Sequence, residues 1–376
     1  MIDDNLSVSP GELRALLERQ DWKDPVVVDV REPDEFADWR ITPSVNLPLT
    51  DRKFVGNVEK ILGGRQIVAV CTRGNRSLYA VELLREDGLQ AWSLEGGLVA
   101  WSKVHLCARV EIPRLGDTKI LQIRRLLRGC TSYIVGSANE CAVFDPSSNT
   151  EQYTSIAARY GLRITHVIDT HQHADHISGA RSLATTTGAM LHLSTLDGYK
   201  FDGFAPIRNG ERISLSNGAV TIEVLHTPGH TVGSMCFLIE NDALLSGDTL
   251  MLEGVGRPDL HRSEEQRARE LYHSCKKMLS RLDRETIVLP GHLGLAANTT
   301  VESPICRTLT EIGHEVGLTD ISESEFVETL LKHEMPPPSN YHTILRINSG
   351  ESRLDPALID LLEEGHNRCI SPMRPT

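Results

Sequence analysis

Thr170-His171-Gln172-His173-Ala174-Asp175-His176 is the stretch on which the reading of this chain turns. It follows the apolar run Ile164 to Ile168, which predicts a strand, so its side chains fall on a loop at a strand end. A lone histidine is usually structural, but three imidazoles and a carboxylate within six residues form a metal-ligand set. Imidazole and carboxylate suit Zn, Fe, Mn or Ni, and the stretch holds no thiolate. Further ligand types follow in strand–loop contexts. They are His230 in His226-Thr227-Pro228-Gly229-His230-Thr231, Asp248 in Ser246-Gly247-Asp248-Thr249, and His292 in Leu289-Pro290-Gly291-His292.

Working outward, short apolar runs predict strands at 121–127, 132–135, 142–145, 222–225, 236–239, 243–245 and 287–289. Helical stretches intervene, notably 263–282, and the mixture predicts sheets with helices packed outside. The tail adds a helix near 323–331, then Pro336-Pro337-Pro338. Upstream, Ser9-Pro10-Gly11-Glu12 offers an N-cap, a proline at the first helical position and a capping-box glutamate. Strands at 26–28, 67–70 and 91–94 alternate with a helix at 76–85, which predicts a small parallel α/β unit ending near Ser102. Residues 103–118, with Pro113 and Gly116, read as the junction.

The chain has 376 residues, enough for two domains or three, and its 40% hydrophobic and 24% charged composition is that of a globular protein. A net charge of -12 without a long Lys/Arg run makes nucleic acid an unexpected partner. Eight scattered cysteines form no C-x-x-C and no disulfide framework. No apolar run spans a membrane, and the start MIDDNLSVSP has neither a secretory nor a transit-peptide layout. A cytoplasmic protein with free thiols is the expectation; self-association stays open.

Cys71-Thr72-Arg73-Gly74-Asn75-Arg76-Ser77 lies between a predicted strand and a predicted helix. Backbone N–H groups at a helix start stabilise a thiolate there, and Arg73 and Arg76 add positive charge. Such a loop suits a cysteine that carries an anionic sulfur species. Together with Val28-Asp29-Val30-Arg31-Glu32, Asn46-Leu47-Pro48 and Leu94-Glu95-Gly96-Gly97 ending at Trp101, it resembles a single-domain rhodanese over residues 1 to about 105. That resemblance implies a catalytic set of Cys71, Arg73 and Arg76, with Cys71 holding a sulfane sulfur as a persulfide. One departure is Thr42-Pro43-Ser44-Val45, where the family often has Pro-Gly-Ala.

The histidine set is similar to the metallo-β-lactamase superfamily over residues 118–300. In its dinuclear hydrolases the resemblance would give His171, His173 and His230 to one metal and Asp175, His176 and His292 to the second, with Asp248 bridging. Gly254-Val255-Gly256-Arg257-Pro258-Asp259-Leu260 looks instead like the segment of persulfide dioxygenases, as do Ser324-Glu325-Phe326-Val327, Pro336-Pro337-Pro338-Ser339-Asn340-Tyr341 and Asn348. That family implies one Fe(II) per chain on a facial triad of His171, His230 and Asp248, which suits O₂ activation. His173, Asp175, His176 and His292 would then orient the ligands. Arg257 would fit a substrate carboxylate or a loop ion pair.

The expected architecture is α/β: a small parallel-sheet rhodanese domain over residues 1–105, then an αββα metallo-β-lactamase-fold domain over 106–376 that includes the tail. The expected activity is oxidation of glutathione persulfide, or a similar thiol persulfide, by O₂ to sulfite and thiol. Cys71 would exchange sulfur with thiols, thiosulfate or sulfite. The alternatives are a dinuclear zinc thioester hydrolase of the glyoxalase II type and a rhodanese domain that only docks partners. In many fusions of these two domains the rhodanese comes second, whereas here it leads.

Overall fold

A computed structural model describes residues 5–18, 25–260, 263–294, 300–332, 337, 340–365 and 368–373. Pro336, Pro338 and Ser339 of the proline motif lie outside the described residues.

The N-terminal sheet has five parallel strands in the order Ser7–Val8, Ala91–Leu94, Ile67–Val70, Val26–Asp29, Val45–Asn46. Its central strands are buried throughout and mostly apolar, as a sheet covered on both faces requires. Helix Pro10–Leu17 starts at the expected capping box of Ser9 and Glu12. Helix Asn75–Glu86 follows the Cys71 loop and buries Ser77, Ala80, Val81 and Leu84. Beneath the loop, buried Asp29 takes both Arg31 Nε and Nη2, the latter at 2.7 Å.

The C-terminal region has two facing sheets. One has seven strands in the order Ala205–Pro206, Met190–Leu193, Arg163–Ile168, Glu140–Phe144, Thr131–Ser137, Lys119–Arg125, His105–Val110. The other has six: Arg212–Leu215, Val220–His226, Met235–Ile239, Ala243–Gly247, Ile287–Pro290, Arg307–Thr308. Phe144, Ile168, Val224, Phe237 and Leu245 fill the space between them. Helices cover the outer faces: Glu151–Arg159 and Ala180–Thr187 on one side, Glu264–Arg281 and Glu323–Lys332 on the other. This is the αββα layering expected.

The stretch 103–118 is more than a junction. Strand His105–Val110 pairs along its whole length with Lys119–Arg125 and forms the edge of the seven-stranded sheet. Its burial alternates, with Leu106, Ala108 and Val110 inward and more polar residues between them, so it forms no continuous apolar run. No helix among the described residues is long and apolar enough to cross a membrane.

Candidate metal centre and cysteine loop

The metal-ligand candidates sit on loops at neighbouring strand ends. Strand Arg163–Ile168 delivers Asp169 to Ser178; Val220–His226 leads to His230, Ala243–Gly247 to Asp248, and Ile287–Pro290 to His292. Strand pairing therefore brings residues far apart in sequence to one edge of the sandwich. His171, His173, Asp175, His176, His230, Asp248 and His292 are all at most 2% exposed.

One ligand atom each from His171, His230 and Asp248 lies within 4.8 Å of the other two. Asp248 Oδ2 is 3.5 Å from His230 Nε2 and 3.8 Å from His171 Nε2. The far nitrogens are fixed from behind. His230 Nδ1 donates to the Arg257 carbonyl at 2.9 Å, and His171 Nδ1 lies 2.9 Å from Thr170 Oγ1, which is held by Asp145. His171 Nε2 and Asp248 Oδ2 have no hydrogen-bond partner although both are buried. Buried polar atoms are rarely left unsatisfied, so this orphaned pair fits a cation between them.

Electrostatics divides the histidines. Burial, with His173 nearby, pushes His171 well below the usual imidazole range, and burial lowers His230 too. Both shifts favour the neutral form, the form in which an imidazole can hold a metal. Burial opposes charge on His292 as well, but the Asp248 and Asp175 carboxylates outweigh it and raise that residue well above its usual range. Its Nδ1 lies 2.6 Å from Asp248 Oδ1 and its Nε2 3.0 Å from Asp175 Oδ2, so each ring nitrogen faces a carboxylate. His176 is likewise held charged against burial by Asp175. Burial alone would raise the Asp248 carboxyl, but the imidazoles of His292, His171 and His230 hold it well below the carboxylate range. His173 Nε2 sits 3.1 Å from Asp145 Oδ1, leaving its Nδ1 without a partner.

Two thiols were missed by sequence reasoning. Cys130 donates to Asp175 Oδ2 at 3.3 Å and clusters with Asp175, His176 and His292. Burial and Asp175 push this thiol up, but His292 and His176 outweigh them and bring it down to about 6. Cys369, in the tail, clusters with Asp248 and His292. Both stand alone in the sequence with no motif around them, so no signal marked them.

Two C-terminal segments also complete the site. Asn348, at the end of helix Tyr341–Asn348, donates to the carbonyls of His173 (2.9 Å) and His176 (2.8 Å) and accepts from Ser178 N–H (3.0 Å). Strand Ile370–Pro372 pairs with Gly254–Gly256. A Cβ on Gly256 would lie 2.1 Å from the Asp248 carbonyl oxygen and 2.9 Å from the His230 ring, so the second glycine of that motif makes room for two ligands. Arg257 is buried, and its fork holds Asp259 and the Arg368 carbonyl. The substrate-carboxylate role expected for it meets a carboxylate of the chain already in place.

In the other loop, the Cys71 sulfur faces Gly74 N–H (3.2 Å), Ser77 N–H (3.4 Å) and Ser77 Oγ (3.4 Å). Gly97 packs against this turn, and a Cβ there would lie 2.2 Å from the Cys71 carbonyl oxygen. Arg76 makes a two-pronged pair with Glu35 at 2.7 and 2.6 Å, and Arg73 pairs with Glu364 of the tail. All eight cysteines are free thiols.

A two-layered sandwich with a His/Asp cluster at its edge defines a metal-dependent enzyme fold, and the comparisons agree. The metallo-beta-lactamase superfamily model matches residues 125–292 and the rhodanese-like domain model residues 9–104. The chain belongs to the metallo-beta-lactamase superfamily and carries a rhodanese-like domain ahead of it. Among its relatives, the bovine mitochondrial persulfide dioxygenase ETHE1 is 31% identical over 219 residues, which is 56% of this chain and 80% of that protein. A hydroxyacylglutathione hydrolase of Polaromonas sp. is also 31% identical, over 61% of this chain and 86% of its own length. The crystal structure of ETHE1 from Myxococcus xanthus superposes with a TM-score of 0.55 at 26% identity, covering 61% of this chain and 97% of that one.

Proposed function

We propose that this enzyme oxidises a low-molecular-weight persulfide, glutathione persulfide or a close analogue, to sulfite and thiol at a single iron held by His171, His230 and Asp248. The observation that carries the reading is the division among the histidines. Burial lowers His171 and His230, and both face a partnerless Asp248 oxygen, whereas His292 is bound through both nitrogens to carboxylates. A second metal on His292 would have to displace one of those two hydrogen bonds, since an imidazole ligates a metal through one nitrogen. Bound iron would supply O₂ activation. Asp175 and His292 hold Asp248 in place, Thr170 and Arg257 aim the two imidazoles, and the buried shell limits water. Both atoms of O₂ and one oxygen of water end in sulfite, and the thiol is released.

Cys71 would carry sulfane sulfur between small thiols, sulfite and thiosulfate. A hydrolase reading is favoured by the hydroxyacylglutathione hydrolase relatives and by the presence of all seven superfamily ligands; it predicts two zinc ions and thioester cleavage. Metal analysis of protein purified without added metal, with oxygen uptake on glutathione persulfide, separates the two. About one iron per chain with O₂ consumption and sulfite is expected; abundant iron without O₂ uptake or sulfite would sink the proposal. Cys71→Ser should abolish thiosulfate-to-thiol sulfur transfer, and transfer that persists would contradict the role given to Cys71.

A further inference from the structure

Both cations of the Cys71 loop are matched by carboxylates, and one of these comes from the far end of the chain. Arg76 is held by Glu35 on the neighbouring helix Pro33–Asp38, and Arg73 by Glu364 in the tail. Both pairs sit at the solvent edge, with Arg73 47% and Glu364 32% exposed on their side chains. Glu364 is not placed there by chance of a mobile chain. Its neighbour Glu363 is buried, taking Arg125 Nη1 at 2.7 Å and Ile177 N–H at 2.7 Å, one residue beyond His176. Lys103–Asp360 at 2.7 Å and Arg368–Asp38 at 2.8 Å hold the tail against the N-terminal domain on either side.

We propose that Glu364 sets the donor specificity of Cys71, disfavouring donors such as thiosulfate that carry two negative charges at the reacting end and favouring persulfides, which carry at most one there. The inference rests on Cys71 being the sulfur carrier. In the transfer, the Cys71 thiolate attacks the outer sulfur of the donor. A new S–S bond forms on Cys71, the donor's own S–S bond breaks, and its electron pair leaves on a thiolate or, from thiosulfate, on sulfite. No oxidant is consumed. The backbone donors of the loop accommodate one sulfur anion. A dianion needs unmatched positive charge at the rim, yet Arg73 and Arg76 offer theirs to Glu364 and Glu35. Thiosulfate must share a guanidinium with a carboxylate, and like charges at that range repel.

The test measures kcat/KM for thiosulfate and for glutathione persulfide, with cyanide as acceptor, on the full metal-loaded chain. Glu364→Gln should raise the thiosulfate value roughly two- to fivefold, the size expected for releasing one partly exposed charge pair, and raise the persulfide value by less than half as much. The gain should shrink as ionic strength rises. Glu328→Gln, the same loss of one paired surface carboxylate, on helix Glu323–Lys332 away from the loop, should move neither value. An unchanged ratio in Glu364→Gln, or an equal gain in Glu328→Gln, overturns the proposal. Arg73→Gln should lower thiosulfate use further, and a rise there also overturns it. Cys71→Ser tests the underlying reading separately, because transfer that survives it places the sulfur elsewhere.

Discussion

At the residue scale, a glycine shapes the candidate metal centre alongside the candidate ligands. Gly256 presses its backbone against His230 and Asp248, so a methyl group there must displace one of them. Gly256→Ala should weaken metal binding by about ten- to a hundredfold, the range seen when groups behind a ligand are disturbed. Chelator competition reads this, with circular dichroism as the control for folding. Unchanged affinity would mean that the strand yields and His230 stays where it is. The same logic makes the Gly96-Gly97 pair legible. The sequence motif named it, and the structure supplies the reason, which is the approach of Gly97 to the Cys71 carbonyl. Cys130 and Cys369 could not be read in this way. A thiol without neighbours in sequence acquires its chemistry only from the imidazoles and carboxylates that the fold brings to it.

At the element scale, the tail helix Tyr341–Asn348 acts as a clamp on the loop that carries His171, His173 and His176. That loop has no ladder partner for the His173 and His176 carbonyls, and Asn348 supplies two N–H donors and one acceptor from a single plane. Asn348→Asp keeps the acceptor and loses both donors. It should reduce metal affinity by about tenfold or more while the secondary structure stays intact. If metal content matches the wild type, the helix holds the loop by other means. The long helix Glu264–Arg281 and the apolar strands were readable because their periodicity is strong. Strands Met190–Leu193 and Arg212–Leu215 were not, because His192 interrupts the first and Arg212 and Ser214 the second, so neither is a continuous apolar run.

At the scale of the whole molecule, the contact between the two sheets is one of several buried apolar cores. Phe237 is fully buried and meets Phe144 with ring centroids 5.0 Å apart. Phe237→Ala should cost about 3–5 kcal/mol by denaturant unfolding, from lost burial and the cavity left behind. The join between the domains should be acid-sensitive. Burial, with Arg125 nearby, pushes His105 down to about 3 from 6.5. Below 6.5 the unfolded chain binds a proton that the folded chain refuses, so this contribution is complete above pH 6.5 and is lost as pH falls towards 3. His105→Gln should flatten that part of the stability profile relative to wild type. A parallel profile would show that His105 does not govern the acid limb.

The sequence by itself determined the two-part α/β layout, the Cys71 loop and the set of seven ligand-type residues, because each is written locally as a run of apolar residues or a short polar motif. It left the ligands unsorted. Which imidazoles stay neutral, which oxygen of Asp248 lacks a partner, and which carboxylates grip His292 depend on burial and on neighbours up to 117 residues away, as between Asp175 and His292. Only tertiary structure could place Arg257 on Asp259, Asn348 on the metal loop and Glu364 on Arg73. Hydrogen bonds and ion pairs act over a few ångströms in space, and the chain carries no local record of which distant residues folding will bring within that reach.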